Sequence, residues 1–588
     1  MAFTGRDKKW LRGPRAIGLV AAGAAVVLGL ATGGTVTQAA PAKPKPTHTQ
    51  IQLLSINDFH GNLAVNPPTS SSGNVNGTPA GGAEYLATQL ELLRASARAQ
   101  GQDTATVAAG DLIGASPLLS AAFHDEPTIE AMNEMGLDAT SVGNHEFDEG
   151  YKELLRMQKG GCIDDGDGQN NQNSCPDHRF KGADFKYLSA NVFYVNTDKT
   201  LFAPYTIKKF RDGQKVAFIG MTLENTPNIV TKSGVQGLSF KDEVETANAL
   251  VPKLKQQGVE AIVVLLHEGG LPADPKAYNS CPGVSGPIVD IAKNLDPAID
   301  AILSGHTHQS YNCSFPDPAG KPRLVTSASS FGKIVTEVRL SIDNATHDVD
   351  RLNTMANNHI VTQDVPKDRE LTKLITTYQT LVAPIQNKVI GHITTPLITK
   401  TPDDSQESPL GNLIADAQLA DPSTVTNGKT PVVAFMNPGG IRADLVSDGG
   451  AVTFGAAFTV QPFNNFLVSM DMTGTQIKAL LEQQFSGVNQ ASNKVLQIAG
   501  ITYTYNPAGT PGAKVVADSI KIAGQPLVDA TTYRIVTNNF LSDGGDGFPA
   551  FTTATDKFFG GLDIDAFANY LTAHDPYIPA PTDRINIS

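Results

Sequence analysis

The sequence of 588 residues predicts an α/β protein made of two blocks joined by a helix. In the first block, short apolar segments end in polar or Gly-rich loops, and segments of helical periodicity follow them. This alternation is typical of a sheet whose strands are buried on both faces and covered by helices. A polar, helix-like stretch over residues 370–388 follows, and the composition shifts after Gly391. We therefore expect an N-terminal α/β domain, a connecting helix and a C-terminal α/β domain.

Hydrophobic periodicity places the elements of the first block. Its predicted strands are 49–55, 104–109, 139–142, 215–220, 261–266, 298–303, 323–327 and 335–341, and its main predicted helices are 84–100, 128–135 and 240–257. In the second block we expect a helix over 411–421 and strands with special loops over 432–445, 458–474, 498–506 and 533–551. Ligands of α/β sheets gather where the strands end, so the loops after these strands are the places to search.

The N-terminus has the pattern of a signal peptide over residues 1–40. Five basic side chains precede an apolar run over 16–31, and small residues follow, with cleavage expected after Ala39 or Ala40. An uncleaved anchor is the alternative, but the run is short for a span of ~20 residues. We therefore expect a secreted, extracellular or cell-envelope protein with no stable membrane insertion after cleavage.

The charge excludes one class of partner. The formal charge is −13, and residues 1–40 carry five basic and one acidic side chain, which leaves −17 on the remainder. No basic run follows the signal peptide, so a nucleic-acid polymer is not an expected partner.

Four cysteines lie outside the signal peptide, at positions 162, 175, 281 and 313. Export favours disulfides, and three pairings are possible. The local pairs Cys162–Cys175 and Cys281–Cys313 are favoured, because each encloses a loop rich in Gly, Asn, Asp or Pro. A cysteine metal site is the alternative, but no C-x-x-C spacing supports it.

The stretch SVGNHEFDEG, residues 141–150, crowds polar groups after an apolar approach. Asn144 offers a carbonyl oxygen, His145 a ligand nitrogen or a proton, and Asp148 a carboxylate that can orient the imidazole. Alone, the stretch is compatible with a solvated turn. It indicates a site if other strand ends supply matching groups.

Other strand ends do supply them. Together with Asn144 and His145, the residues after short apolar strands are Asp58, His60, Asp111, His267, His306 and His308. Mixed nitrogen and oxygen ligands suit divalent metals such as Zn²⁺ or Mn²⁺. Eight groups are too many for one tetrahedral site, and they fit two metals that share a bridging carboxylate. Such a pair serves phosphoryl transfer.

The blocks DFHGN, GDLIGASP, GNHEFD, HEGG and GHTH resemble the signature blocks of the calcineurin-like metallophosphoesterases. Over residues 49–588 the chain resembles the secreted 5′-nucleotidase / UDP-sugar hydrolase / 2′,3′-cyclic phosphodiesterase family. The resemblance implies a four-layer αββα metallophosphoesterase domain over 49–350, a linker helix over 365–389 and a substrate-binding domain over 390–588. It also implies that the second domain rotates about the linker helix.

The resemblance further implies the roles of the polar residues. One metal would take Asp58, His60, Asp111 and His308, and the other would take Asp111, Asn144, His267 and His306. His145 and Asp148 would form the catalytic dyad that contacts the transferred phosphoryl group.

The second block would bind the substrate. The substrate contacts that the resemblance implies are Asn437, Arg442, Phe463, Asn465, Phe540 and Asp546. Composition alone favours Phe463 and Phe540 as core residues, whereas the resemblance makes them a clamp on a nucleobase. Family members commonly carry a further Arg before the LGNLIADA helix, but here the segment reads TPDDSQESPLGN. A nucleoside monophosphate, a cyclic phosphate and a nucleotide-sugar therefore all remain candidate substrates.

The sequence thus predicts a secreted, two-metal phosphohydrolase acting on nucleotides as a monomer or dimer. A surface-binding protein on the same scaffold is the alternative outside enzymes. A thiosulfohydrolase-like relative would share the metal blocks, but the two Phe argue against it.

Overall fold

The computed structural model describes residues 46–68, 70, 72–164 and 172–588. The predicted signal peptide lies outside these residues. Within the described part of the chain, none of the helices has the length and apolarity that a membrane crossing requires.

Two six-stranded sheets form the first block. In spatial order, the first sheet contains Met355–Ile360, Ile334–Asp343, His48–Ile56, Asp103–Ala108, Ala139–Ser141 and Lys186–Leu188. The second contains Ser310–Pro316, Pro322–Ala328, Ala301–Ser304, Ala261–His267, Lys215–Thr222 and Tyr205–Lys209. The central strands of both sheets pair in parallel, and antiparallel strands close both edges of the second sheet and one edge of the first, whose other edge strand, Lys186–Leu188, is parallel. The predicted strands are therefore present, with ends shifted by a few residues.

The sheets pack face to face through apolar side chains such as Leu53, Val107, Phe218, Leu265 and Leu340, all of them buried. The helices Ala83–Ala99 and Glu126–Glu134 cover the outer face of the first sheet. The helices Glu243–Gln256 and Pro287–Asn294 cover the outer face of the second. Strand Ala261–His267 is buried along its whole length because it is covered on both sides. The layer order is the predicted αββα.

One predicted helix begins later than expected. Residues Leu238–Phe240 form a short strand with Val192–Tyr194, and the helix starts at Glu243 instead of 240. The carboxylate of Asp242 accepts a hydrogen bond from the Glu245 backbone N–H at 2.7 Å, so Asp242 caps the helix. The other small elements are the helices Leu118–Ala121 and Tyr151–Lys159 and the ribbon Asn74–Val75/Thr78–Pro79.

The connecting helix runs from Arg369 to Gln386. The Asp368 carboxylate caps it by accepting from the Leu371 N–H at 3.0 Å. Tyr378 holds it to the first block: the Tyr378 hydroxyl donates to Glu130 at 3.1 Å, and its ring lies 5.0 Å from that of Phe123. The helix also contacts the second block, so a continuous apolar cluster joins both.

The second block is built on a five-stranded sheet in the order Gln497–Ala499, Val433–Met436, Thr532–Asn538, Phe466–Thr473 and Thr555–Leu562. The helices Pro409–Ala420 and Asp563–Ala573 pack on one face, and the helix Gly474–Gln483 packs on the other. A four-stranded sheet contains Gln525–Pro526, Lys521–Ile522, Ile501–Tyr505 and Ile585–Ile587. Two ribbons pair Val389–His392 with Ala451–Thr453 and Leu397–Ile398 with Leu445–Val446.

Part of the predicted strand over 458–474 is wrong. Residues Phe454–Val460 form a helix, and the strand begins only at Phe466. Thr453 caps this helix by accepting from the Ala456 N–H at 3.2 Å, and Phe458 is buried against the neighbouring helices. Likewise, Asn539–Ser542 is a short helix that directly follows the strand Thr532–Asn538.

The structure contains both local disulfides, Cys162–Cys175 and Cys281–Cys313, and no free cysteine among the described residues.

Candidate metal centre and substrate cleft

Loops after five strands of the first block meet at one edge of the two sheets. The backbone there is unusual: φ is positive at Asp58, His60, Asp111, His306 and His308, with values from 46° to 73°. Such conformations are costly for residues other than Gly and cluster at functional sites. A Cβ at Gly143 would lie 2.2 Å from Asp111 Oδ1, so only Gly lets these two loops approach. The chain therefore stores strain to bring its polar groups together.

The first group of candidate ligands is Asp58, His60 and His308. His308 Nε2 lies 3.0 Å from His60 Nε2 and 3.4 Å from Asp58 Oδ1. Asp111 Oδ2 is 3.6 Å from His60 Nε2. These three residues and Asp111 therefore lie close together, and the resemblance implies them as the ligands of one metal.

The second group is Asp111, Asn144, His267 and His306. His267 Nε2 lies 3.0 Å from Asp111 Oδ2 and 3.1 Å from Asn144 Oδ1. His306 Nδ1 lies 3.0 Å from the same Asn144 oxygen. Because Asp111 Oδ2 faces both groups, it is the atom that can bridge two cations.

The orientation of two imidazoles tests whether these residues fit metals. His60 Nδ1 lies 2.8 Å from the Gly114 carbonyl oxygen, and His267 Nδ1 lies 2.7 Å from that of Ala109. A carbonyl only accepts, so each Nδ1 carries a hydrogen and each Nε2 is the ring nitrogen that faces the ligand group. Ligands bound at about 2.0–2.2 Å lie about 3 Å apart, which is the spacing seen here. The donor set therefore fits two divalent cations.

The electrostatics of the centre follow from its burial. Burial raises the pKa of Asp58 to about 7 and that of Glu146 to about 8, with the charge of Asp111 adding to both. Burial and the neighbouring His267 lower the pKa of His306 to about 3. Burial also disfavours the charged form of His267, but Asp111 outweighs it and raises the pKa of His267 to about 10. Buried carboxylates beside imidazoles make a centre suited to cations.

The predicted dyad lies beside this centre. His145 Nδ1 is 2.9 Å from Asp148 Oδ2, which also accepts from the Ala115 N–H at 3.0 Å. The His145 backbone N–H donates to Asp111 Oδ1 at 2.9 Å, which ties the dyad to the centre. With Nδ1 bonded to Asp148, Nε2 is the ring nitrogen that remains for a ligand.

Glu146 is a residue whose role the sequence reasoning missed. Its buried carboxylate accepts from three backbone N–H groups, those of Asp111 at 2.9 Å, Leu112 at 2.8 Å and Gly143 at 2.6 Å. It therefore holds together the loops that carry Asp111 and Asn144. Its place inside GNHEFD was the available signal.

The sequence reasoning also missed Asn57, which supports the loop that carries Asp58. Its amide donates to Asp58 Oδ2 at 2.6 Å and to the Ser329 carbonyl oxygen at 2.7 Å. Asn57 therefore orients the Asp58 carboxylate.

A cleft of about 240 Å³ lies between the candidate metal centre and the second block. From the first block it is lined by Asn144, His145, Asp148, Ile229, Val230, Thr231 and His306. From the second block it is lined by Asn437, Gly439, Gly440, Arg442, Phe463, Asn465, Lys494, Phe540 and Asp546. All six predicted substrate contacts therefore face one cavity with the dyad.

The two aromatic rings are half-buried and lie in the cleft wall. Phe463 stacks on His145, with ring centroids 5.6 Å apart and planes inclined by 22°. The Arg442 guanidinium lies 5.8 Å from the Phe463 centroid. Phe540 packs over Gly545, where a Cβ would come within 2.4 Å of the ring. Phe540 also packs against the apolar core of the second block, so it lies both at that core and in the cleft wall.

A polar network forms the wall beside Phe540. Asn437 donates to Asp546 Oδ2 at 2.8 Å and accepts from Asn538 at 3.0 Å. Lys494 forms an ion pair with Asp546 Oδ1. Lys494 was not predicted, because its partner is distant in the chain.

The segment before the helix Pro409–Ala420 supplies no cation to the cleft. None of residues 401–408, all of which the structure describes, lines it. Lys400 is turned to the backbone and donates to the Ile441 and Arg442 carbonyl oxygens, each at 3.2 Å.

Comparisons with known proteins agree with this architecture. Residues 51–310 match the model of the calcineurin-like phosphoesterases, and residues 389–553 match that of the 5′-nucleotidase C-terminal domain. The chain is 35% identical over 581 residues to the cell wall protein Lmo0130 of Listeria monocytogenes, covering 94% of this chain and 70% of the relative. It is 31% identical over 536 residues to the endonuclease YhcR of Bacillus subtilis, covering 90% of this chain but only 40% of that protein.

Among solved structures, the 5′-nucleotidase precursor of Thermus thermophilus superimposes with a TM-score of 0.73 at 27% identity. The superposition covers 92% of this chain and 99% of that structure. With both family models matched in order, the chain belongs to the calcineurin-like phosphoesterases that carry a 5′-nucleotidase C-terminal domain, a family of metal-dependent phosphoric ester hydrolases.

Proposed function

We propose that this chain is an exported, 5′-nucleotidase-type enzyme that removes phosphate from nucleotides with two divalent cations, Zn²⁺ or Mn²⁺. The observation that carries the proposal is the stacking of Phe463 on His145 in one cleft. It joins a surface that can bind a base to a group that can contact a phosphoryl oxygen. The solved relative from Thermus thermophilus, a 5′-nucleotidase precursor, supports the substrate class.

The ligand sets are those that the sequence predicts. Asp58, His60, Asp111 and His308 would hold one cation, and Asp111, Asn144, His267 and His306 the other. The cations would polarise a phosphoryl oxygen and lower the pKa of a coordinated water. Glu146 and Asn57 would hold the ligand side chains in position, since each is hydrogen-bonded to a proposed ligand residue.

His145 would act on the phosphoryl group through Nε2. Asp148 holds Nδ1 of the same ring, so it fixes the ring orientation and leaves Nε2 to face the phosphoryl group. A donor aimed at charge that develops during the reaction is typically worth ~2.7–4 kcal/mol. The dyad would therefore stabilise the transferred phosphoryl group by positioning and charge.

The second block would hold the nucleoside. Phe463 and Phe540 would contact the base, because aromatic faces stack on any base with about 1–3 kcal/mol each. Asn437, Asn465 and Asp546 offer polar atoms for ribose or base. Arg442 uses one donor on the Gly439 carbonyl oxygen at 3.3 Å, so its other donors remain for phosphate.

Two alternative substrate classes, 2′,3′-cyclic nucleotides and UDP-sugars, gain some support from the segment 401–408. It contributes no cation to the cleft, so recognition of a monophosphate lacks the Arg that resembling proteins carry there. Export is supported by the signal pattern of residues 1–40 and by the cell wall protein to which the chain is similar. A binding protein on this scaffold would release no phosphate from any of these compounds.

The test is a hydrolysis panel over nucleoside mono-, di- and triphosphates, cyclic nucleotides and UDP-sugars with Zn²⁺ or Mn²⁺, in which inorganic phosphate, nucleoside monophosphates and sugar phosphates are all measured. Release of phosphate from AMP, or hydrolysis of a 2′,3′-cyclic nucleotide to a nucleoside monophosphate, abolished by chelator and by Asp111→Ala, is the expected result. Asp518→Ala, which alters an exposed carboxylate away from the cleft, is the control. Full activity of Asp111→Ala, or no release by the wild type, would overturn the proposal.

A further inference from the structure

Asp125 occupies the N-cap position of the helix Glu126–Glu134, yet its side chain does not cap that helix. Its φ is 59°, in the left-handed region, and among the described residues its carboxylate accepts from none of the N–H groups of the helix. Asp is favoured at N-caps because its side chain satisfies such groups. Asp125 is nevertheless buried, so its carboxylate serves another part of the molecule.

The carboxylate of Asp125 is turned to the loop that follows the strand Asp103–Ala108. Its Oδ2 accepts from the Gly114 backbone N–H at 3.0 Å. Its Oδ1 accepts from the Ser120 hydroxyl at 2.6 Å, and that hydroxyl lies 2.6 Å from Thr128 Oγ1. Because Ser120 and Thr128 are both fully buried, the carboxylate has a fixed position.

The peptide group between Gly114 and Ala115 joins the candidate metal centre to the dyad. Its carbonyl oxygen accepts from His60 Nδ1 at 2.8 Å, and its N–H donates to Asp148 Oδ2 at 3.0 Å. In a trans peptide group the C=O and N–H point in opposite directions within one plane. One orientation of this plane therefore sets both contacts, and loss of that orientation removes both.

This orientation has a conformational cost. Gly114 and Ala115 both have positive φ, of 80° and 48°, and the second value is uncommon for a residue with a Cβ. If the loop were released, a return of Ala115 to negative φ would rotate the peptide plane away from His60 and Asp148. Asp125 belongs to neither the metal centre nor the dyad, and Ser120 anchors it independently. The hydrogen bond from Gly114 to Asp125 is therefore a support that can hold the loop in its strained form.

We propose that Asp125 is a positioning residue that holds the peptide group between Gly114 and Ala115, and thereby orients the metal ligand His60 and the dyad residue Asp148 together. The inference rests on the proposed function, in which His60 binds a cation and Asp148 orients His145. A residue that only stabilised the helix would not link these two properties. Removal of the Asp125 carboxylate should therefore weaken metal binding and slow hydrolysis together.

The experiment compares the wild type with Asp125→Gly. Glycine adopts a left-handed φ without strain, so this substitution removes the carboxylate and leaves the backbone conformation accessible. Calorimetric titration of the apo-protein with Mn²⁺ should show about 10-fold weaker binding, and kcat at saturating Mn²⁺ should also fall about 10-fold, as for other residues that support metal ligands. KM should stay near the wild-type value, because the nucleoside contacts lie in the second block. The kinetics use the nucleotide that the wild type hydrolyses fastest.

Three further variants make the comparison specific. In Asp125→Asn, the amide oxygen can accept from Gly114 and the amide nitrogen can donate to Ser120, so both properties should be restored. Asp212→Gly is the matched control, because Asp212 also has a φ of 59° but is exposed and lies outside the cleft lining. It should match the wild type in both properties. Ser120→Ala removes only the anchor of Asp125, so it should lower both properties by a smaller factor, and it tests the link even if Asp125→Gly does not fold.

The inference predicts a joint loss of Mn²⁺ affinity and kcat. A loss of only one of them in Asp125→Gly or Ser120→Ala, or a lower melting temperature with both unchanged, would overturn it. Equal losses in Asp125→Gly and Asp212→Gly would also overturn it. In these cases the proposed function stands. A wild type that binds Mn²⁺ but hydrolyses no nucleotide would remove the proposed function, and the metal titration would still decide whether Asp125 orients His60.

Discussion

The imidazole of His145 and the ring of Phe463 lie nearly parallel, with centroids 5.6 Å apart, although they belong to different blocks of the chain. One residue follows a strand of the αββα domain, and the other precedes the strand Phe466–Thr473. In the proposed function, this contact would place a surface for a base directly against a group that contacts the phosphoryl group. Substituting Phe463 or His145 alone should therefore distinguish recognition of the base from hydrolysis of the phosphate ester.

Phe463→Ala should lower kcat/KM for AMP by about 5- to 100-fold, because a base stack of about 1–3 kcal/mol is lost. Hydrolysis of bis(4-nitrophenyl) phosphate, which has no base, should change little. Steady-state kinetics on both substrates measures the difference. Phe558→Ala, at an exposed aromatic residue away from the cleft, should leave both substrates unaffected. Equal losses on both substrates in Phe463→Ala would show that the ring supports the site and does not recognise the base.

His145→Ala should lower kcat at least about 100-fold, since it removes a positioned donor next to the reacting group. Bound metal, measured by elemental analysis, should stay at the wild-type level because His145 is not a ligand in either group. His392→Ala is a matched control: His392 pairs with Asp575 at 2.9 Å on the surface, in the same His–Asp arrangement. A fall in metal content with His145→Ala would contradict the assigned role.

Glu146→Gln should weaken metal binding by about 10- to 100-fold, because supporting residues around a metal site usually have effects of this size. The neutral amide cannot accept from the N–H groups of Asp111, Leu112 and Gly143 with both of its ends. Titration of the apo-protein with Zn²⁺ or Mn²⁺ measures the change.

Glu407→Gln provides the control for Glu146. The Glu407 carboxylate is likewise buried and accepts from the Arg584 and Ile585 N–H groups at 2.9 and 2.8 Å, but it lies in the second block. The Glu407→Gln substitution should lower thermal stability without changing metal affinity. Equal metal affinities in Glu146→Gln and the wild type would refute the prediction.

Asp563 should make stability depend on pH. Burial raises its pKa to about 7, and among the described residues its Oδ1 has no hydrogen-bond partner. An unfolded Asp titrates near 3.9, so between about pH 4 and 7 the folded state binds the proton more tightly. The contribution of Asp563 to the free energy of unfolding therefore falls as the pH rises through this window.

Asp563→Asn removes this titration. The melting temperature of Asp563→Asn relative to the wild type should rise by a few degrees between pH 5 and pH 8. Asp518→Asn, at an exposed carboxylate, should show no such trend. A difference that stays constant across the pH range would contradict the assigned pKa.

Much of the fold could be predicted because buried parallel strands appear in the sequence as continuous apolar segments. Ala261–His267, for example, is an unbroken apolar run that ends in a candidate metal ligand. The helix Phe454–Val460 could not be predicted in this way. Phe, Thr and Val favour strands in isolation, and the outcome is decided by the Thr453 cap and by packing of Phe458.

The site likewise contains some residues that the sequence could predict and others that it could not. His60 and His308 stand after their own strands, so their neighbours in sequence reveal them. Glu146 and Lys494 act through partners on other segments, the backbone of Gly143 and Asp111 and the carboxylate of Asp546. No local pattern reports such pairs, because folding creates them.

Five candidate ligands have a left-handed backbone conformation, which sets conformational stability against activity. They are Asp58, His60, Asp111, His306 and His308. Glycine would relax the main chain at each of these positions, yet it would delete a side chain that the proposed metal centre needs. The protein is therefore less stable than its own scaffold allows, by of order 1–3 kcal/mol at each such residue. In the proposed function, cations that bind only the native form would offset that deficit, so metal binding would stabilise the protein and complete the catalytic centre together.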